Sequence, residues 1–242
     1  MILFNADDFG ANQSINEAIL SLLLNQKIHS ASMMMGMPGT DDAIQRCLEH
    51  KGKIQVGVHL SLTEGVPITA EVAKIGYMFS GSHVFRNHMV RNLGLVTPFA
   101  YQAMYHELEA QLAKAKSAGI LVHHLNTHHN IHEFLPIMII LCKLGSKFGV
   151  EKLRVLSTQR SKGFKRLYRD AVNGVLRMYG LAYSNVYIDD ALDVTCCKVF
   201  DSCELEYNSA EVLLHPDIDL DGRIYDRFYD SDKLRAVLQQ VY

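Results

Sequence analysis

Residues 2–35 read ILFNADDFGANQSINEAILSLLLNQKIHSASMMM, and this stretch decides the fold class. The apolar run Ile2–Asn5 has the length of a buried strand. Ser14 and Glu17 fit a capping box, and Ile15, Ala18, Ile19, Leu22 and Leu23 follow at helical spacing. Ala31–Met35 is then a second strand. Strand, helix and strand in succession make a parallel unit with a helical crossover.

The rest of the chain repeats the alternation. Strands are expected at Ile54–His59, Ile120–Leu125, Lys152–Leu156, Asn185–Ile188 and Glu211–Leu214. Helices are expected at Asp41–Glu49, Phe99–Ser117, Glu133–Phe148, Phe164–Tyr179 and Ser231–Val241. Six or seven such units in 242 residues predict one α/β domain over 1–242, a TIM-like (β/α) barrel with mainly parallel strands. A doubly wound open sheet is the alternative. Leu62–Pro98 fits neither pattern, and a loop of that length predicts a binding loop or lid.

Composition narrows the function classes. Hydrophobic residues make up 48% of the chain and charged residues 21%, with a formal charge of −2, so nothing marks a nucleic-acid or anionic-membrane partner. No apolar run reaches the length of a membrane span. Cysteine is odd in number, at five, and forms no C-x-x-C pair; with no signal-peptide pattern, a cytoplasmic protein with reduced thiols is expected.

Histidine stands out. There are 12, and five lie between His123 and His132. In parallel α/β folds the site gathers at the C-terminal ends of the strands. Asp7 and Asp8 follow the first strand. His59 closes the third, His124 and His128 lie at and beyond the end of the fourth, Arg154 sits near the end of the fifth, and His215 follows the last. Singly, each has a structural explanation. An Asp caps a helix or a turn, a lone His bonds a carbonyl, and an Arg ties two loops together. Their convergence on one rim carries the functional reading, since buried charge needs a partner or a metal. One carboxylate with two imidazoles and no thiolate suits Zn, Fe, Co, Ni or Mn, with positions left for water and substrate. A metal there would activate water, and a neighbouring carboxylate would take the proton.

The segments NADDFG, VGVHLSLTEG, EAQLAKAKSAG, HHLNTHHNIH and LLHPD, in this order, resemble the YdjC-like carbohydrate deacetylases, which include the chitooligosaccharide deacetylases. The likeness runs from Ile2 to about Val241. It implies a distorted (β/α) barrel and removal of an N-acetyl group from an amino sugar or short chitooligosaccharide with the help of one divalent ion, Mg or Zn. It further implies that Asp8, His59 and His128 hold the metal, that Asp7 is the general base, that His215 protonates the departing amine, and that Arg154 orients Asp7 or the substrate. His124, Asn126, Asn130, His132 and Phe79 are expected to contact the sugar. The implied partner is a small carbohydrate, and a homodimer fits the family. The chain departs from the family pattern in four places, one of them Leu156, where the proline after the matching arginine is missing. Asn126 stands for an acid, Asn130 for a histidine and Asp217 for the glycine of H-P-G. The acid at position 126 would support the metal shell, so its restoration is expected to strengthen metal binding. The alternatives are a sugar-binding protein with eroded catalysis, or another metal-dependent carbohydrate hydrolase on the same scaffold.

Overall fold

The computed structural model describes residues 2–75, 84–85, 96–157, 161–181, 184, 186–188 and 209–228. Phe79, the expected helix Ser231–Val241 and about half of the expected lid lie outside them.

Six parallel strands form the sheet: β1 (Ile2–Phe9), β2 (Ser30–Met33), β3 (Val56–Leu60), β4 (Val122–Thr127), β5 (Val186–Ile188) and β6 (Ala210–Leu214). Their spatial order is β4-β3-β2-β1-β6-β5. The sheet curls into a half-barrel with helices around it, a distorted TIM-like α/β fold. The helices are α1 (Gln13–Leu24), α2 (Thr40–Glu49), α3 (Ala70–Ala73), α4 (Pro98–Ser117), α5 (Leu135–Phe148) and α6 (Gly163–Met178). Both faces of the sheet carry apolar side chains. Phe4, Phe9, Met33, Val58 and Leu214 are buried with Ile15, Ile19, Leu108, Leu112 and Ile140 of the helices.

Four expectations need correction. The cap of α1 is Asn12, whose Oδ1 accepts from Ile15 N at 2.9 Å; Ser14 Oγ donates instead to Asn12 and to Asp217. Lys152–Leu156 is not a regular strand: only Leu153 bridges to Leu125 of β4. Its polar mate Arg154 is drawn inward, as shown below. α5 starts at Leu135, two residues later than expected, because the tight turn His128–Glu133 precedes it. Finally, the chain after β6 forms an antiparallel hairpin, β7 (Pro216–Ile218) with β8 (Ile224–Asp226), where none was foreseen.

Two bulges interrupt the sheet, one near the C-terminal end of β1 and one near the start of β4. Between the pairs Ala6↔Ala31 and Phe9↔Met33, Asp7 and Asp8 together stand against Ser32 alone. Asp8 takes φ +67°, a left-handed conformation that Asp tolerates better than most residues. On β4, His123 and His124 stand against Gly57 alone. A Cβ on Gly57 would lie 2.5 Å from His124 O, so this bulge needs glycine opposite it.

Candidate metal centre

Successive residues of a regular strand point to opposite faces. The first bulge cancels that alternation, and the carboxylates of Asp7 and Asp8 both approach one nitrogen, His59 Nε2, at 3.7 and 3.4 Å. His59 arrives from the end of β3. His128 arrives from the turn after β4, and its Nδ1 lies 3.1 Å from Asp8 Oδ1 and 3.3 Å from His59 Nε2. Asp8 Oδ1, His59 Nε2 and His128 Nδ1 thus form a triangle 3.1–3.4 Å on a side. Atoms bound to one ion at about 2.1 Å, at tetrahedral or octahedral angles, stand roughly 3.0–3.4 Å apart. Asp8 Oδ1 is buried and has no hydrogen-bond partner among the described residues, although two imidazoles stand beside it. The donor set fits a divalent cation.

The far nitrogens of both imidazoles are held. His59 Nδ1 pairs with Asn126 Oδ1 at 2.7 Å, and His128 Nε2 pairs with Glu64 Oε2 at 2.7 Å. These contacts turn each ring so that its other nitrogen faces the triangle. Asn126 uses its amide in both directions, since its Nδ2 donates to Ser32 Oγ at 2.7 Å and to Asp7 Oδ1 at 3.2 Å.

Asp7 is held beneath the triangle. Arg154, buried and stacked 4.7 Å above the Tyr187 ring, grips it with Nη1 on Oδ2 at 2.7 Å and Nη2 on Oδ1 at 2.9 Å. Its Nε and Nη2 also donate to Glu211 Oε1. Asn5 Nδ2 adds a bond to Asp7 Oδ1 at 2.8 Å. Oδ1 thus takes three donors and Oδ2 one, so Oδ2, the oxygen nearer His59, keeps an open lone pair. Burial pushes the Asp7 carboxyl up, but the charges of Arg154 and His59 and the Arg154 hydrogen bond outweigh it and hold the group well below the usual carboxylate range. Burial likewise raises Asp8, and the His128 and His59 rings beside it reverse the shift. Burial pushes Glu211 up in spite of Arg154. Burial lowers His128 as well, yet the carboxylates of Asp8 and Glu64 beside it raise it to about 9.

His215 follows β6 and is fixed by the hairpin. Its N–H donates to Asp226 Oδ2 at 2.7 Å, and its ring meets Phe228 edge-on at 4.6 Å. Its Nδ1 is buried with no hydrogen-bond partner among the described residues. Burial lowers its pKa, against the pull of the Asp8 and Asp7 charges. From the same hairpin Arg227 Nη2 donates to Asp8 Oδ2, which leaves Oδ1 facing the imidazoles.

Asp7, Asp8, His59, His128 and Arg154 therefore meet, with His215 near enough for the charges of both aspartates to act on it. Of the described residues expected to touch a sugar, three are buried. His124 is fully buried, with Nε2 2.9 Å from Ser32 Oγ; His132 is buried against Thr127; and Asn126 lies beneath His59. These three belong to the packed layer that supports the site, because the β4 bulge and the following turn direct them inward. Asn130 is half-buried, in a left-handed conformation that Asn accepts. Sequence reasoning missed Asn5, Ser32, Glu64, Glu211 and Arg227. An acid at the second position of the last strand was the visible signal for Glu211, and Glu64 lies within the quoted segment VGVHLSLTEG. Glu64, His128 and His129 form a second, more open group of metal-ligating type.

Among the described residues, no helix is long and apolar enough to cross a membrane.

The chain is 34% identical over 152 residues to a carbohydrate deacetylase of Vibrio parahaemolyticus, covering 62% of this chain and 57% of that protein. It is 25% identical over 215 residues to a carbohydrate deacetylase of Halalkalibacterium halodurans, covering 89% and 84%. The fold matches a solved structure from Enterococcus faecalis V583, provisionally described as a cellobiose-phosphate cleavage protein, with a TM-score of 0.71 at 18% identity, covering 98% of this chain and 88% of that one. The Vibrio alignment spans little more than half of its protein. The model of the YdjC-like protein family matches residues 1–240, and the chain belongs to that family.

Proposed function

We propose that the chain is a metal-dependent hydrolase that removes the acetyl group from an N-acetylated amino sugar or short oligosaccharide. The observation that carries this reading is the triangle of Asp8 Oδ1, His59 Nε2 and His128 Nδ1 with the open lone pair of Asp7 Oδ2 beside it. The names of the relatives support the substrate class.

A divalent ion in the triangle supplies the Lewis acidity that polarises the acetyl carbonyl and makes water nucleophilic near neutral pH. The chain supplies the rest. Arg154 holds Asp7 charged and fixed, so that Oδ2 is placed to take the proton as water adds to the carbonyl carbon. The low pKa makes Asp7 a weak base, which suits a water that is already acidified. The C–N bond breaks, the nitrogen takes a proton from His215, and acetate and the free amine result. The charges of Asp8 and Asp7 favour the protonated form of His215 against its burial, and that form is the donor. Asn126 and Glu64 keep the imidazoles from rotating.

The test is metal analysis of the purified protein, with acetate release measured over N-acetylated mono- and oligosaccharides. One ion per chain, and acetate release abolished by a chelator and restored by metal, are expected. Sugar binding that survives chelation without acetate release would favour a sugar-binding protein instead.

A further inference from the structure

We infer that Glu64 is a positioning residue for this metal centre, the carboxylate that holds His128 with Nδ1 toward the site; the inference rests on the Asp8–His59–His128 reading above. Glu64 Oε2 stands 2.7 Å from His128 Nε2. Asn126, on the other ligand imidazole, is neutral. Among the described residues, Glu64 is therefore the one carboxylate on the outward nitrogen of either ring. A charged acceptor there raises the basicity of the ligand nitrogen, and an amide does not.

The loop is built to keep Glu64 in place. Ser61 Oγ accepts from the Glu64 N–H at 3.0 Å and donates to Glu64 O at 2.8 Å, closing a tight turn two residues past His59. Gln111 of α4 clamps the start of that turn, with its Oε1 on Ser61 N at 2.9 Å and its Nε2 on Ser61 O at 2.7 Å. At the other end, Gly65 takes φ +89° against Gly36, where a Cβ would lie 2.7 Å from Gly36 O. Val66 N donates to Gly36 O at 2.9 Å. The loop that leaves His59 thus returns a carboxylate to the other histidine of the site. Metal affinity and the order of this loop are coupled through the Glu64–His128 contact.

The experiment titrates Zn²⁺ into chelator-stripped protein by calorimetry, for wild type, Glu64→Gln, Glu64→Asp and the remote surface variant Glu109→Gln. Wild type and Glu109→Gln should take one ion per chain with equal affinity. Glu64→Gln keeps the shape and can still accept a hydrogen bond, but should bind about 10- to 100-fold more weakly. Metal-free Glu64→Gln should keep a cooperative thermal transition, lowered only by the lost pairing with protonated His128, which a general structural defect would not permit. Glu64→Asp keeps the charge at shorter reach and should fall between. Wild-type affinity in Glu64→Gln overturns the inference and leaves the metal site standing. Two ions in wild type and one in Glu64→Gln would make Glu64 a ligand of a second ion with His128 and His129, and also overturn it. If wild type takes no ion at all, the site reading and this inference fall together.

Discussion

At the scale of single residues, adjacent carboxylates have separate tasks because one bulge gives them separate surroundings. Asp8 offers a bare oxygen to two imidazoles, whereas Asp7 is saturated on one oxygen by Arg154, Asn5 and Asn126. Asp8→Asn should therefore lose most bound metal, since a neutral amide is the poorer ligand. Asp7→Asn should keep the metal, lose roughly a hundred- to ten-thousandfold in rate, and unfold more easily. Breaking a buried ion pair costs up to about 3–5 kcal/mol, although Glu211 remains to pair with Arg154. Metal content, kcat and urea midpoint, measured together, separate the two; equal metal loss in both variants would mean that both ligate. Asn126 shows why the family's acid cannot simply be put back. Its amide accepts from His59 and donates to Ser32 and Asp7. A carboxylate could do only the first, and would face the Asp7 oxygen as a like charge. Asn126→Asp should therefore lower stability by about 1–3 kcal/mol or more rather than improve the enzyme. A variant as stable as wild type with tighter metal binding would refute this. The candidate ligands were legible because each stands at a strand end. The dual hydrogen bonding of Asn126 was not, because it depends on which buried neighbours face each amide atom.

At the scale of elements, the strand–helix periodicity predicted all six sheet strands to within a few residues, and the fragmentary segment at Lys152–Leu156 was misread as a seventh. The reason lies in Arg154. A regular strand would have alternated it between faces, whereas here it is committed to Asp7 and Glu211, and only Leu153 keeps a bridge to β4. Bulges were also invisible, since an extra residue leaves the hydrophobic pattern readable on both sides of it. Yet the β4 bulge depends on a named residue. Gly57 lies two positions before His59, and a methyl group there would meet both the carbonyl and the ring of His124 within 2.6 Å. The obstruction includes backbone, so it cannot swing away. Gly57→Ala should cost about 1–3 kcal/mol in overpacking and weaken metal binding through His59, with His124 displaced. Thermal unfolding and metal titration of this one variant check both effects. An unchanged melting temperature would show that the bulge can relax without glycine.

At the scale of the whole molecule, the same convergence of histidines sets how stability depends on pH. His124 and His132 are buried as neutral rings. Burial lowers His124 well below its ordinary value and, with the Arg154 charge, lowers His132 to about 3. A folded pKa below the unfolded one means that the unfolded chain binds the extra proton. The stabilisation is then complete above about pH 6.5 and is lost as pH falls, by up to about 1.4 kcal/mol per pH unit for each group. His128 behaves in the opposite way in the metal-free protein. Its pKa is raised to about 9, so its contribution is complete below about 6.5 and is lost as pH rises toward 9. Chelated protein should therefore be most stable near pH 6.5 and weaken on both sides, more steeply on the acid side. Metal binding requires the neutral form of His128, so loaded protein should lose the alkaline decline while keeping the acid one. Melting temperatures at pH 5.5, 6.5, 7.5 and 8.5, with and without chelator, test this. Below about pH 5 the aspartates begin to add their own loss, so the comparison is confined above it. A flat alkaline limb in the chelated protein would show that His128 holds no proton between Asp8 and Glu64. Loss of the acid slope in His132→Asn would assign part of that slope to the buried ring. Both limbs arise because a rim built to gather imidazoles around one cation must, without it, keep one of them protonated among carboxylates and bury others neutral beneath.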